Sequence, residues 1–147
     1  MTWRKLVSAF AAIALVSLIG LGGYIVYLWA TYIDKAIDTG QAYGLSIGDT
    51  KQSTFKKLPL AFDHIGDGNG IFVEVRADDA TAAKLGIASG RHIMVPPRLD
   101  RSDFDTLSTS DQWIFYVSPS HRDFLRLSFC GEKLCRIYRH RKYFELP

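Results

Sequence analysis

Asp100, Asp103 and Asp105 lie close together in the chain, and carboxylates so spaced can share acid–base work. Beside Arg98 and Arg101, in a polar stretch, the same residues also read as solvated or helix-capping acids. Ser118 and Ser120 stand just before His121, the residue types that nucleophilic catalysis uses, but no G-x-S-x-G elbow accompanies them. The segment from Asp63 to Glu74 has the composition of a calcium loop. With Gly70 as the turn glycine, Asp67 and Asn69 fall at ligand positions. The first ligand would then be Ile65 and the bidentate acid Arg76, so the register fails and a glycine-rich turn is the better reading. His64, His92, His121 and His140 are dispersed, without the spacing of a metal site. These weighings leave no catalytic, cofactor-binding or metal-ligating set. The expectation is a protein that is not an enzyme and takes no cofactor or small-molecule substrate.

Two further sets carry chemistry of other kinds. Cys130 and Cys135 are the chain's two cysteines, spaced to bridge a hairpin, and too few for a structural zinc site. The last segment, Arg136 to Phe144, interleaves arginine with tyrosine, the residue types that supply much of the binding energy at protein interfaces. Alternation would present Arg136, Tyr138 and His140 on one side and Arg139, Arg141 and Tyr143 on the other. Three readings are open for it: partner binding, a charged edge strand that deters aggregation, and contact with anionic lipid headgroups. Under the first, exchanging Arg139 and Arg141 for glutamate should abolish partner capture and leave the fold intact.

The element that positions all of this comes first in the chain. Leu6 to Ala30 is uncharged and apolar, following Arg4 and Lys5. About 25 residues at ~1.5 Å each make roughly 37 Å of helix, enough to cross a ~30 Å hydrocarbon core with some tilt. Trp3 at one end and Tyr27, Trp29 and Tyr32 at the other suit interfacial belts. Asp34, Lys35 and Asp38 follow the run, so the positive-inside bias predicts a single-pass inner-membrane protein with its N-terminus cytoplasmic. A cleaved secretory signal would have a shorter apolar region and a better cleavage context. The expected organisation is a cytoplasmic tail over 1–5, a transmembrane helix over 6–30, a linker over 31–40 and a periplasmic domain over 41–147. The net charge of +3 is too small to imply a nucleic-acid partner.

Within the domain, Asp49 or Thr50 caps a short helix from Lys51 to Leu58 that Pro59 ends. Leu60 to Ile65 and Ile71 to Arg76 read as strands around a turn from Gly66 to Gly70. A second short helix begins at Asp78 or Asp79 and stops at Gly86. His92 to Val95 reads as a strand and residues 98–111 as a polar loop. Trp113 to Val117, Phe124 to Phe129 and Cys135 to Phe144 read as an antiparallel meander. The expected class is therefore α+β, two short helices packed on one face of an antiparallel sheet. The last hairpin carries a conflict. One register puts both cysteines on one face; the other aligns Leu125, Leu127 and Phe129 with the apolar residues across. Both hold together only if the hairpin contains a bulge.

Leu45-Ser46-Ile47-Gly48-Asp49-Thr50-Lys51-Gln52 resembles the G-x-T-K opening of the SmpA/OmlA (BamE-like) outer-membrane assembly lipoproteins. Asp111-Gln112-Trp113-Ile114-Phe115-Tyr116 resembles their D-x-W-x-Y strand, and Leu125 to Phe129 with Leu134 and Ile137 resembles their last hairpin. The resemblance implies two helices on a three-stranded sheet, a fold shared with β-lactamase-inhibitory proteins, and function by protein binding. The chain departs from it in having no cysteine before Cys130 to carry a lipid, and in a longer stretch over 63–110. Together these readings nominate Trp113, Tyr116, Arg136, Tyr138, Arg139, Arg141 and Tyr143 as protein-binding residues. The expected partner is another membrane or periplasmic protein, with the chain acting as an accessory subunit of an envelope complex. The alternative is an immunity or inhibitor protein that occludes a periplasmic toxin or enzyme.

Overall fold

The computed structural model describes residues 3–66, 70–77, 79–86, 88–117 and 121–142. The chain divides into two units. The first holds α1 (Trp3–Thr31), and the second runs from Ile33 to Arg141. Within α1, Phe10–Thr31 is a 22-residue stretch long and apolar enough to span a membrane.

The second unit is an α+β domain. It contains β1 (Ile33–Ile37), β2 (Gln41–Ala42), β3 (Leu45–Ser46), α2 (Lys51–Ile65), β4 (Ile71–Arg76) and α3 (Asp79–Leu85). β5 (His92–Val95), α4 (Arg101–Ser108), β6 (Gln112–Val117), β7 (Asp123–Cys130) and β8 (Lys133–Arg141) follow. Six strands pair antiparallel in the order β1-β8-β7-β6-β4-β5, and β2 pairs with β3 in a separate ribbon. The sheet thus has twice the strands the resemblance implies, and its helices among the described residues are three, not two.

Three differences from expectation have local physical causes. Helix α2 does not stop at Pro59 but runs on to Ile65, so Leu60 to Ile65 is helical and not a strand. A proline inside a helix forfeits a hydrogen bond and costs about 3 kcal/mol. Thr54, Leu58, Ala61 and Ile65 form a buried stripe at helical spacing, and Phe62 packs edge-on against Phe115 at 5.0 Å. Each large apolar side chain so buried gains roughly 1.5–3 kcal/mol, and continuing the helix is the favourable outcome. The polar stretch over 98–111 folds as α4, where the Asp100 carboxylate caps by accepting from Asp103 N at 3.0 Å. Its Phe104 and Leu107 pack on the core. Residues 31–40, expected as a linker, contain β1, which pairs with β8 from Ile33↔Arg141 to Ile37↔Ile137. Strand β8 is therefore interior and not an edge.

The core lies between α2 with α4 and one face of the sheet. It joins Leu58, Ala61, Ile65 and Leu107 to Trp113, Phe115, Leu125, Leu127, Phe129, Leu134 and Ile137. The last hairpin reconciles the two registers through a bulge. Cys130 pairs with Lys133 and Phe129 with Leu134, but Ser128 pairs with Arg136, so Cys135 is the extra residue. The slip keeps Phe129, Leu134, Leu127 and Ile137 on the core face while the Cys130–Cys135 disulfide closes, with Cα atoms 5.7 Å apart.

Candidate functional site: the outer sheet face

A strand's side chains alternate between faces, so every core residue on β6, β7 and β8 leaves a neighbour pointing away from α2 and α4. On this outer face the register lines side chains into rows. One row reads Phe72, Tyr116, Phe124, His140 and Asp34 across β4, β6, β7, β8 and β1. The next reads Ile114, Arg126, Tyr138 and Ala36, and a third Gln112, Ser128 and Arg136.

The rows make an aromatic platform. The Phe124 ring centroid lies 6.0 Å from Tyr116, 5.8 Å from Tyr138 and 5.3 Å from His140. His121 packs edge-on to Tyr116 at 5.0 Å. Such separations suit offset and edge-to-face ring pairs. The Arg126 guanidinium lies over two of these rings, 5.3 Å from the Phe124 centroid and 5.8 Å from that of Tyr138.

Polar groups fix the platform's rim. Tyr116 donates its hydroxyl to Glu74 at 3.1 Å, and His92 Nδ1 lies 2.9 Å from the same carboxylate. Burial, then the bond to the Glu74 carboxylate, raises the Tyr116 pKa above its ordinary value. Tyr138 donates to Asp34 Oδ1 at 2.6 Å, which also lies 3.8 Å from His140 Nδ1. Arg136 forms a bidentate pair with Asp38 at 2.6 and 3.1 Å, which holds the Asp38 carboxyl below its usual range.

The nominated binding residues divide between the two faces. Tyr116, Arg136 and Tyr138 belong to the outer face: Tyr116 is buried under its neighbours, Tyr138 half-buried and Arg136 exposed. Trp113 and Arg139 belong to the interior and offer no surface to a partner. Trp113 is 0 % exposed, packs tilted against Phe129 with ring centroids 4.5 Å apart and donates its indole N–H to the Leu107 carbonyl at 2.7 Å. Arg139 is 2 % exposed and donates to Asp123, to the Phe124 carbonyl at 3.0 Å and to the His140 carbonyl at 2.8 Å. Arg141 sits opposite Asp123 and Ile33 in the register, on the core side and half-buried. Tyr143 lies outside the described residues. Exchanging Arg139 for glutamate would set a second acid against the buried Asp123, so the expectation of an intact fold is corrected.

The residues weighed for other chemistry occupy structural posts. Asp103 accepts from the backbone N–H groups of Arg98 at 2.6 Å and Leu99 at 2.9 Å, holding Leu99 at φ 58°. Asp100 caps α4, and its bonds to Ser102 and Asp103 lower its pKa. His64 Nδ1 lies 2.7 Å from the Leu60 carbonyl on its own helix. Asp67 and Asn69 of the glycine-rich turn, and Ser118 and Ser120, lie outside the described residues.

The three segments that carry the resemblance meet in space. Gly48 N donates to the Leu134 carbonyl at 2.7 Å, Leu134 N to the Asp49 carbonyl at 2.8 Å and Lys51 N to the Glu132 carbonyl at 3.0 Å. Lys51 is 4 % exposed, and its ammonium donates to the Ser108 carbonyl at 3.0 Å and Asp111 Oδ1 at 3.1 Å. No protein family, curated protein or solved structure matches the chain.

Sequence reasoning passed over Phe124, Arg126, Glu74 and Asp34 as members of this face. The signal was present for two of them: period-two alternation through Leu125, Leu127 and Phe129 puts Phe124 and Arg126 opposite the core. Glu74 and Asp34 join only through the β4–β6 and β1–β8 pairings, which no local pattern announces.

Proposed function

We propose that the chain is a membrane-anchored protein-binding module that docks its partner on the outer sheet face. The observation that carries this reading is the asymmetry of the sheet. One face is sealed by α2 and α4, while the other presents clustered rings, a guanidinium and an exposed arginine. Rigid aromatic rings lose little conformational entropy on binding, and arginine adds planar hydrogen bonding, so this composition suits recognition.

The anchor is α1. Arg4 and Lys5 before it and the acids after it favour a cytoplasmic N-terminus and a domain on the periplasmic side of the inner membrane. Only Tyr32 separates the end of α1 from the start of β1. Tethering limits the search for a partner to the membrane and raises its effective concentration, as suits an accessory subunit of an envelope complex. Kinship with the BamE-like domains belongs to the same proposal, supported by the contacts among the Gly48–Lys51 opening, Asp111 and the β7–β8 hairpin.

Mild-detergent capture of tagged full-length protein from its native membranes tests the proposal. The wild type should co-purify with a defined partner, and the Arg136→Glu and Tyr138→Ala variants should lose it while melting normally. Retention by both variants would remove the outer face from the interface.

A further inference from the structure

Among the described residues, charge accounting on the outer face leaves Arg126 unanswered. Arg136 is met by Asp38, and Arg139 on the core side by Asp123. Glu74 accepts from Tyr116 and lies against His92, and Asp34 accepts from Tyr138 beside His140. Arg126 has rings beside it and, among the described residues, no carboxylate partner. Its Nε is buried with no acceptor. A guanidinium presents its N–H donors in a rigid plane that a carboxylate meets with two parallel bonds.

We infer that Arg126 is the specificity-determining residue of the docking face, and that the partner segment it takes carries an aspartate or glutamate flanked by apolar side chains. The carboxylate meets the Arg126 guanidinium, and the flanking groups lie on the Phe124 and Tyr138 rings. The inference rests on the outer face being the docking surface. An anionic membrane surface fits less well, because Asp34, Asp38 and Glu74 share the face and repel a dense negative layer. A single carboxylate aimed at Arg126 passes between them.

The test uses full-length protein in nanodiscs of zwitterionic lipid, panned against a random dodecapeptide library. Selected peptides should be enriched in an acid between apolar residues. Exchanging that acid for its amide in the peptide should weaken binding about tenfold or more, the scale of one charge-assisted bond. Arg126→Gln should do the same without lowering the melting temperature, and Arg126→Lys should recover part of the loss. The peptide exchange leaves the protein untouched, so the test survives a variant that folds poorly. Peptides with no acid preference, whose binding falls with Tyr138→Ala but not with Arg126→Gln, would overturn the inference and leave the docking face standing. Peptides indifferent to every outer-face substitution would overturn both. Arg126-dependent binding to vesicles rich in anionic lipid, or Arg126-dependent self-association, with no peptide selected, would assign the face to lipid or to a second copy and overturn the inference.

Discussion

Arg139→Met should destabilise the domain by about 3–5 kcal/mol, the cost of removing one partner from a buried ion pair. The magnitude follows from what the guanidinium leaves behind. Asp123 is 7 % exposed and would lose its cation, and the carbonyls of Phe124 and His140 would lose a donor. The loss is a large share of the roughly 5–15 kcal/mol that holds a typical domain together. At about 4–8 °C per kcal/mol, the melting temperature should fall by at least about 12 °C. Near-ultraviolet circular dichroism of the full chain in detergent reads this through the packing of Trp113 against Phe129. The double variant Asp123→Leu/Arg139→Met removes both charges, and it should recover most of the loss. Arg136→Met, which breaks only an exposed pair with Asp38, should change the melting temperature little. If Arg139→Met melts within a few degrees of wild type, or the double variant melts no higher than the single one, Arg139 is not the buried strut described here.

Two other perturbations have defined outcomes. Reducing the Cys130–Cys135 bridge, whose cysteines are 5 apart in sequence, should cost about 2 kcal/mol by loop-closure entropy and leave the fold intact, read as a lowered melting temperature with unchanged far-ultraviolet dichroism. The Asp49 carboxyl is desolvated, which raises its pKa, but bonds from Lys57, Ser46 and Ser53 outweigh this and bring it below the ordinary value. The unfolded chain then holds the proton more tightly, so Asp49 stabilises the fold above the ordinary carboxylate range and that contribution is lost as pH falls through it. Acid titration of Asp49→Asn should therefore show a shallower loss of stability below about pH 4 than the wild type.

What the sequence disclosed follows the range of its signals. The apolar length of α1, the alternation of β6 and β7 and the cysteine spacing are local patterns, and each could be read directly. The need for a bulge, if the disulfide and the apolar register were both to hold, was also legible, but its place at Cys135 was not. Helix α2 was cut short because the cost of Pro59 is local, while the compensating burial of Ala61 and Ile65 depends on a sheet formed later in the chain. Helix α4 has only Phe104 and Leu107 on the core, too few for a periodic signal in a polar stretch. Strand β1 gains its identity from pairing with β8, whose Tyr138 bonds Asp34 across 104 residues of chain. The same long-range facts sorted the candidate site. Trp113 and Arg139 have the residue types of an interface, but their register turns them inward, while Arg126, of the same type as Arg139, lies on the opposite face, where the alternation of β7 already put it.

Site-specific photocross-linking in intact cells addresses the docking face without purification. A photoreactive residue at position 136, on the outer face, and another at Lys56, on the exposed side of α2, sample the two sides of the domain. Position 136 should give a discrete protein adduct in the membrane fraction and Lys56 none. An adduct from Lys56 with none from 136, or lipid adducts alone from 136, would contradict a protein partner bound on the outer face.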